Sequence, residues 1–197
     1  PSMKVFLIGS APYAPQWWEQ HKHHVEVAHC INNAKAIVGD HRGTWYMATD
    51  FPINNDYSFE ELKQRSGQDW HYCPIVSEPL LHPRGYTCEY HGTMIVNACY
   101  DILNRALLAG ETVELNLVGC DLDYSGEETH FYEGGTPDPM RIPQDILVGH
   151  LTKLRDDFPE HRIVTLGPPS ILPFEQGDPQ FLWTPTSSPQ AHQATTA

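Results

Sequence analysis

VELNLVGCDLDYSGEETHFYEGGTPDPMR, residues 113–141, carries an apolar strand straight into a loop dense with chemistry. Val113, Leu115, Leu117 and Val118 read as a core strand closed by Gly119. Beyond it Asp121, Asp123, Tyr124, Glu127, Glu128, His130, Tyr132, Asp138 and Arg141 share a loop whose Gly126, Gly134 and Gly135 allow backbone shapes that other residues resist. In an open α/β sheet ligands bind just past the carboxyl ends of strands, so this loop is the first candidate for a site. A solvated surface loop is the plain alternative. Tyrosine hydroxyls and a histidine interleaved among the charges favour the site.

The elements around this stretch alternate. A helix over Thr93–Ala109, with Ile95, Ala98, Cys99, Ile102, Ala106 and Leu107 on one face and Gly110 ending it, feeds the strand. Another helix follows Pro143, with Ile146, Leu147, Leu151, Leu154 and Phe158 at helical spacing, and Arg162–Leu166 is the last strand. Upstream, Lys4–Ile8 is a strand that breaks at Gly9-Ser10-Ala11-Pro12 before a helix from Pro15 to about His23. Val25–Cys30 is a second strand ending at Asn32-Asn33, and Thr44–Ala48 a third ending at Asp50-Phe51-Pro52. Ser58-Phe59-Glu60-Glu61 has capping-box spacing for a short helix stopping near Gly67, and Cys73–Val76 is a fourth strand candidate. Alternation of this kind predicts a doubly wound α/β fold with a mostly parallel sheet, one Rossmann-like domain over residues 3–175. From about Gln176 the chain turns to Pro, Thr, Ser, Gln and Ala. Residues 176–197 are expected to be a disordered tail, with Phe181 to Trp183 its first docking point.

A chain of 197 residues with 40% hydrophobic residues can bury one substantial core. No run of about 18 apolar residues and no signal peptide is visible, which predicts a soluble, cytoplasmic protein with no membrane span. A net charge of -13, with no basic arm or arginine stripe, repels a phosphate backbone and argues against a nucleic-acid partner. The five cysteines, Cys30, Cys73, Cys88, Cys99 and Cys120, are odd in number and lack CxxC spacing. Four lie in or beside apolar runs and read as reduced core residues; Cys88 sits in a polar stretch.

Four expected strands end in small or polar residues: Gly9-Ser10, Asn32-Asn33, Asp50 and Asp121. Parallel strands would gather these ends on one edge, although Asn and Asp also serve simply to turn a chain. Arg84-Gly85-Tyr86-Thr87-Cys88-Glu89-Tyr90-His91-Gly92-Thr93 leads into the strongest helix, where free N–H groups at Gly92 and Thr93 offer an anion site and Arg84 a phosphate clamp. A plain N-cap with His91 on the surface is the competing reading. Twelve histidines raise the question of metal. His21, His23 and His24 cluster, and Asp121, Asp123, Glu127, Glu128 and His130 could supply ligands, but neither HExxH nor an EF-hand is present. No metal or other cofactor is expected. The absence of a GxSxG elbow speaks against a serine hydrolase.

The order of these pieces resembles the bacterial sialyltransferases and the wider sialyltransferase-like group over most of residues 3–174. Ile8-Gly9-Ser10-Ala11-Pro12 is similar to that group's opening Gly-Asn-Gly-Pro-Ser-like turn, and Cys30-Ile31-Asn32-Asn33 to its strand-ending asparagine. His91-Gly92-Thr93 resembles a Ser-Gly helix start, and Gly119-Cys120-Asp121-Leu122-Asp123-Tyr124 a Gly-Ile-Asp-Phe-Tyr strand end. The resemblance implies a glycosyltransferase that takes a nucleotide-activated sugar, a cytidine monophosphate sugar foremost, and a small-molecule or glycan acceptor, without metal. It implies that Tyr124 and Tyr132 stabilise the departing phosphate and that His130 is the general base, with His150 second; the loop here is much shorter than the family's. Gly9, Ser10, Asn32, Asn33, Asp50, Arg84, His91, Gly92, Thr93, Asp121 and Arg141 are the expected substrate contacts. Two other readings stand beside it: a nucleotide- or sugar-binding protein without turnover, and a metal-dependent hydrolase built on Asp121, Asp123 and His130.

Overall fold

A computed structural model describes residues 2–48, 70–73, 80–81, 87–88, 94–122, 130–131 and 143–186. Its first strand, β1 (Met3–Ile8), lies inside the sheet instead of at an edge. On one side of it follow β2 (Ala28–Ile31), β3 (Trp45–Ala48) and β4 (Trp70–Cys73). On the other side lie β7 (Val113–Val118), β8 (Arg162–Thr165) and the two-residue β9 (Glu175–Gln176). Every pairing in this seven-stranded sheet is parallel, so the chain is an α/β fold. A separate antiparallel pair joins β5 (Leu80–Leu81) to β6 (Thr87–Cys88), where the sequence pattern predicts no strand.

Burial explains why β1 and β7 sit at the centre. Val5 to Ile8 are all buried, and so are all six residues of β7, including Glu114 and Asn116. A strand apolar on both faces must be covered on both, which an inner position in a parallel sheet provides. Helix α1 (Ala14–His21) packs on α2 (Lys35–Val38), and α3 (Met94–Ala109) on α4 (Gln144–Asp157). α3 stops where the sequence places Gly110, whose φ of +70° lets the Glu111 N–H turn back to the Ala106 carbonyl at 2.9 Å.

Several boundaries differ from expectation. β2 begins at Ala28, three residues after Val25. The fourth strand is Trp70–Cys73 rather than Cys73–Val76, in register with β3 from Trp45 opposite Trp70 to Ala48 opposite Cys73. Pro74 has no N–H to continue the ladder. On α4 the buried stripe is Leu147, Leu151 and Leu154, while Ile146 is 46% exposed, one helical step off that stripe. The expected helix after Ser58 falls outside the described residues.

The segment assigned by composition to a disordered tail is placed as far as residue 186, a correction over 176–186. β9 pairs with β8, and a single 3-10 turn (Pro179–Phe181) follows, capped by Asp178 accepting from the Gln180 N–H at 3.0 Å. Phe181 is buried against Phe6, with ring centroids 5.4 Å apart, and its carbonyl accepts from Trp17 Nε1 at 2.7 Å. Lys4 holds Asp178 at 2.9 Å. Two aromatic anchors, Phe181 and Trp183, compensate for a composition that otherwise disfavours order. Residues 187–197 lie outside the described ones.

Candidate functional site

Parallel pairing puts the carboxyl ends of β1, β2, β7 and β8 on one edge, where Ile8 is in register with Cys30 on one side and Val118 on the other. Strand order reverses here: the chain steps outward from β1 through β2 to β4 and then returns to β1's other flank as β7. The two strand ends nearly touch. The Gly9 N–H donates to the Val118 carbonyl at 2.7 Å, and the Ala11 N–H to the Gly119 carbonyl at 3.1 Å.

Tyr13, in the turn between β1 and α1, reaches across this junction. Its hydroxyl accepts the Gly119 N–H at 2.7 Å and donates to Asp121 Oδ1 at 2.8 Å. Burial raises the Tyr13 phenol far above its ordinary range and the Asp121 charge adds to this, so the hydroxyl keeps its proton and remains a donor. A Cβ on Gly167, just after β8, would stand 2.0 Å from that hydroxyl and 2.9 Å from Asp121 Oδ1. Behind the ring lies Trp183, centroids 5.4 Å apart, whose backbone N–H donates to the Leu166 carbonyl at 2.7 Å. Four separate segments therefore meet at one phenol.

Two non-glycine residues at this edge have left-handed backbone. Leu122 has φ +57°, a conformation that costs a branched apolar residue about 1–2 kcal/mol. It is held by burial of its side chain and by Gln144 Nε2, which donates to its carbonyl at 2.6 Å. Asn32 has φ +45°, which asparagine tolerates better, and its carbonyl accepts from Trp45 Nε1 at 2.8 Å. The chain beyond Leu122 returns to the same edge: the Phe131 N–H donates to the Ser10 carbonyl at 2.9 Å, which brings partly exposed His130 beside the β1 turn.

Of the expected contacts, Gly9, Ser10, Asn32, Asn33, Asp121 and His130 are described, and topology and the Phe131–Ser10 bond gather them on the carboxyl edge. Asp50, Arg84, His91, Gly92, Thr93, Tyr124, Tyr132 and Arg141 lie outside the described residues. His150, the second base candidate, sits in the second turn of α4. Among the described residues no three His, Cys, Asp or Glu side chains form a metal-binding group; Asp123, part of the metal reading, is not among them. Burial pushes the thiols of Cys30 and Cys99 up to about 12 and that of Cys120 well above its usual value, which keeps these three protonated and poor nucleophiles.

Sequence reasoning passed over Tyr13 and Gly167, and gave Trp183 only as part of the tail's docking point. A signal was present in the glycine that directly follows each of three strands or their last apolar residue: Ile8-Gly9, Val118-Gly119 and Leu166-Gly167. No family model matches the chain, and neither a curated protein nor a solved structure matches it. No helix among the described residues is long and apolar enough to cross a membrane.

Proposed function

We propose that this chain is a doubly wound, Rossmann-like domain that binds a nucleotide-activated sugar at the β1/β7 junction and transfers the sugar to an acceptor hydroxyl. The reversal of strand order between β1 and β7, with both strand ends closed by glycine, carries the reading, because crevices at such reversals are where α/β sheets take nucleotides. The resemblance of the strand-end motifs to the sialyltransferase-like group supports a cytidine monophosphate sugar as donor. Three buried, protonated thiols agree with a reducing, cytoplasmic setting.

In this reading Gly9 gives its space to the Gly119 carbonyl so that the two strand ends close together, and Ser10 and Asp121 meet ligand hydroxyls. The acceptor oxygen forms the new bond to the sugar's anomeric carbon as the bond from that carbon to the phosphate oxygen breaks. His130 takes the acceptor's proton, and the nucleotide monophosphate leaves with the bonding pair, its charge met by the hydroxyls of Tyr124 and Tyr132. No metal is needed for a leaving group with a single phosphate.

A thermal-shift series with cytidine, uridine, adenosine and guanosine monophosphates, with and without magnesium, tests the binding step. Ligand at 100 times its dissociation constant adds about 2.7 kcal/mol of apparent stability. A shift with the cytidine nucleotide and none with magnesium alone is expected; a shift with the metal alone moves the reading to a hydrolase. His130→Ala should then remove transfer while cytidine monophosphate affinity stays within about twofold. Full activity per folded His130→Ala molecule overturns the assignment, and His150→Ala becomes the next variant to measure.

A further inference from the structure

We infer that Tyr13 is the positioning residue of this site: anchored by the Gly119 N–H, its hydroxyl sets the Asp121 carboxylate in the orientation that a bound ligand's hydroxyl requires. The inference rests on the nucleotide-sugar reading for the identity of that ligand. It adds a residue from outside the strand-end motifs, together with the segment that supports it.

The geometry is specific to a phenol at this position. One oxygen both accepts from Gly119 at 2.7 Å and donates to Asp121 at 2.8 Å, so it fixes the last residue-pair of the β7 exit on either side of Cys120. Cys120 itself is buried with its Sγ directed at the Leu7 and Val118 carbonyls, 3.8 and 3.5 Å away, which leaves Asp121 as the polar side chain of this turn. Gly167 leaves the space into which the hydroxyl and the carboxylate oxygen fit, since any side chain there would overlap both. Trp183 closes the far side of the ring, and its backbone N–H is anchored to the Leu166 carbonyl, one residue before that glycine. The phenol thus cannot swing without breaking both hydrogen bonds at the β7 exit and its ring contact with the C-terminal segment.

Positioning matters because a carboxylate that must be ordered on binding takes that cost from affinity, whereas one already held does not. Leu122, strained immediately after Asp121, shows the turn being held away from its relaxed shape. Tyr13→Phe removes only the hydroxyl and retains the ring that Trp183 packs against.

Isothermal titration with cytidine monophosphate would compare the wild type, Tyr13→Phe, Asp121→Asn and the double variant. Each single change is expected to weaken binding on the order of tenfold, with the double variant no weaker than Asp121→Asn alone, because residues acting through one another are non-additive. A purely structural role would instead lower the melting temperature and leave the affinity of the folded protein unchanged. Wild-type affinity in folded Tyr13→Phe, or losses that multiply in the double variant, overturns the inference while the nucleotide reading stands. If the wild type itself binds no cytidine monophosphate at millimolar concentration, the nucleotide reading falls and the inference falls with it. Should Tyr13→Phe not fold, Trp183→Leu replaces it: it leaves both hydrogen bonds in place but loosens the ring. Several-fold weaker binding is then expected, and unchanged affinity overturns the proposal.

Discussion

Gly9 and Gly119 stand backbone to backbone: a Cβ on Gly9 would lie 2.3 Å from the Gly119 carbonyl oxygen, and one on Gly119 would lie 2.6 Å from that of Gly9. The atoms in the way are main chain in the middle of the sheet, so they cannot swing aside as a side-chain end could. Gly9→Ala is expected to cost about 2–3 kcal/mol in urea unfolding. Gly119→Ala should cost more, by about 1–2 kcal/mol, because φ there is +70°. Midpoints within error of wild type would refute the contact.

Gly167→Ala places a methyl against a phenol oxygen that is tied down by two hydrogen bonds. The expected loss is about 1–3 kcal/mol, the cost of unmaking one buried bond. Combining it with Tyr13→Phe should recover part of that loss, since the oxygen in the way is gone. A double variant less stable than Gly167→Ala alone would contradict this.

A truncation tests the docked segment. Ending the chain at Phe174 removes β9, Phe181 and Trp183 and should abolish cooperative unfolding near room temperature; a melting temperature within error of wild type would refute this. Phe181→Ala alone is expected to cost about 3 kcal/mol, with calorimetry as the measurement.

His29 gives the pH dependence a definite sign. Burial pushes its imidazole down to about 4, against partial opposition from Asp101, while the Thr44 N–H donates to its Nδ1 at 3.0 Å. An unfolded histidine titrates near ~6.5. Between those values the unfolded chain binds a proton that the folded chain refuses. The stabilisation is whole above about pH 6.5, falls as pH drops toward 4 and amounts to up to about 3 kcal/mol in full. In His29→Asn the stability–pH slope over this window should flatten; an identical slope in both proteins would remove His29 from the account.

The strands and helices were legible where periodicity was strong, as in Val113–Val118 and Met94–Ala109, because burial on both faces or on one stripe leaves its mark residue by residue. β9 was not, because two polar residues, Glu175 and Gln176, carry no such pattern and pair only because Phe181 and Trp183 dock beyond them. The edge on which Gly9, Asn32 and Asp121 meet followed from parallel pairing alone. Tyr13 did not: a tyrosine between Pro12 and Ala14 reads as an ordinary turn residue until the chain's far end is seen to bring Gly167 and Trp183 beside it.

The docking of Phe181 on Phe6 and Trp17 spans 164 residues between Trp17 and its hydrogen-bond acceptor. On the ribosome, where synthesis runs at roughly 5–20 residues per second, that interval leaves the greasy flank of the first strand and helix bare for roughly 8–33 s before its cover is made. Such a nascent chain is a natural client for a holdase, and codon choices that slow its last third would lengthen the hazard without altering a single contact in the finished protein.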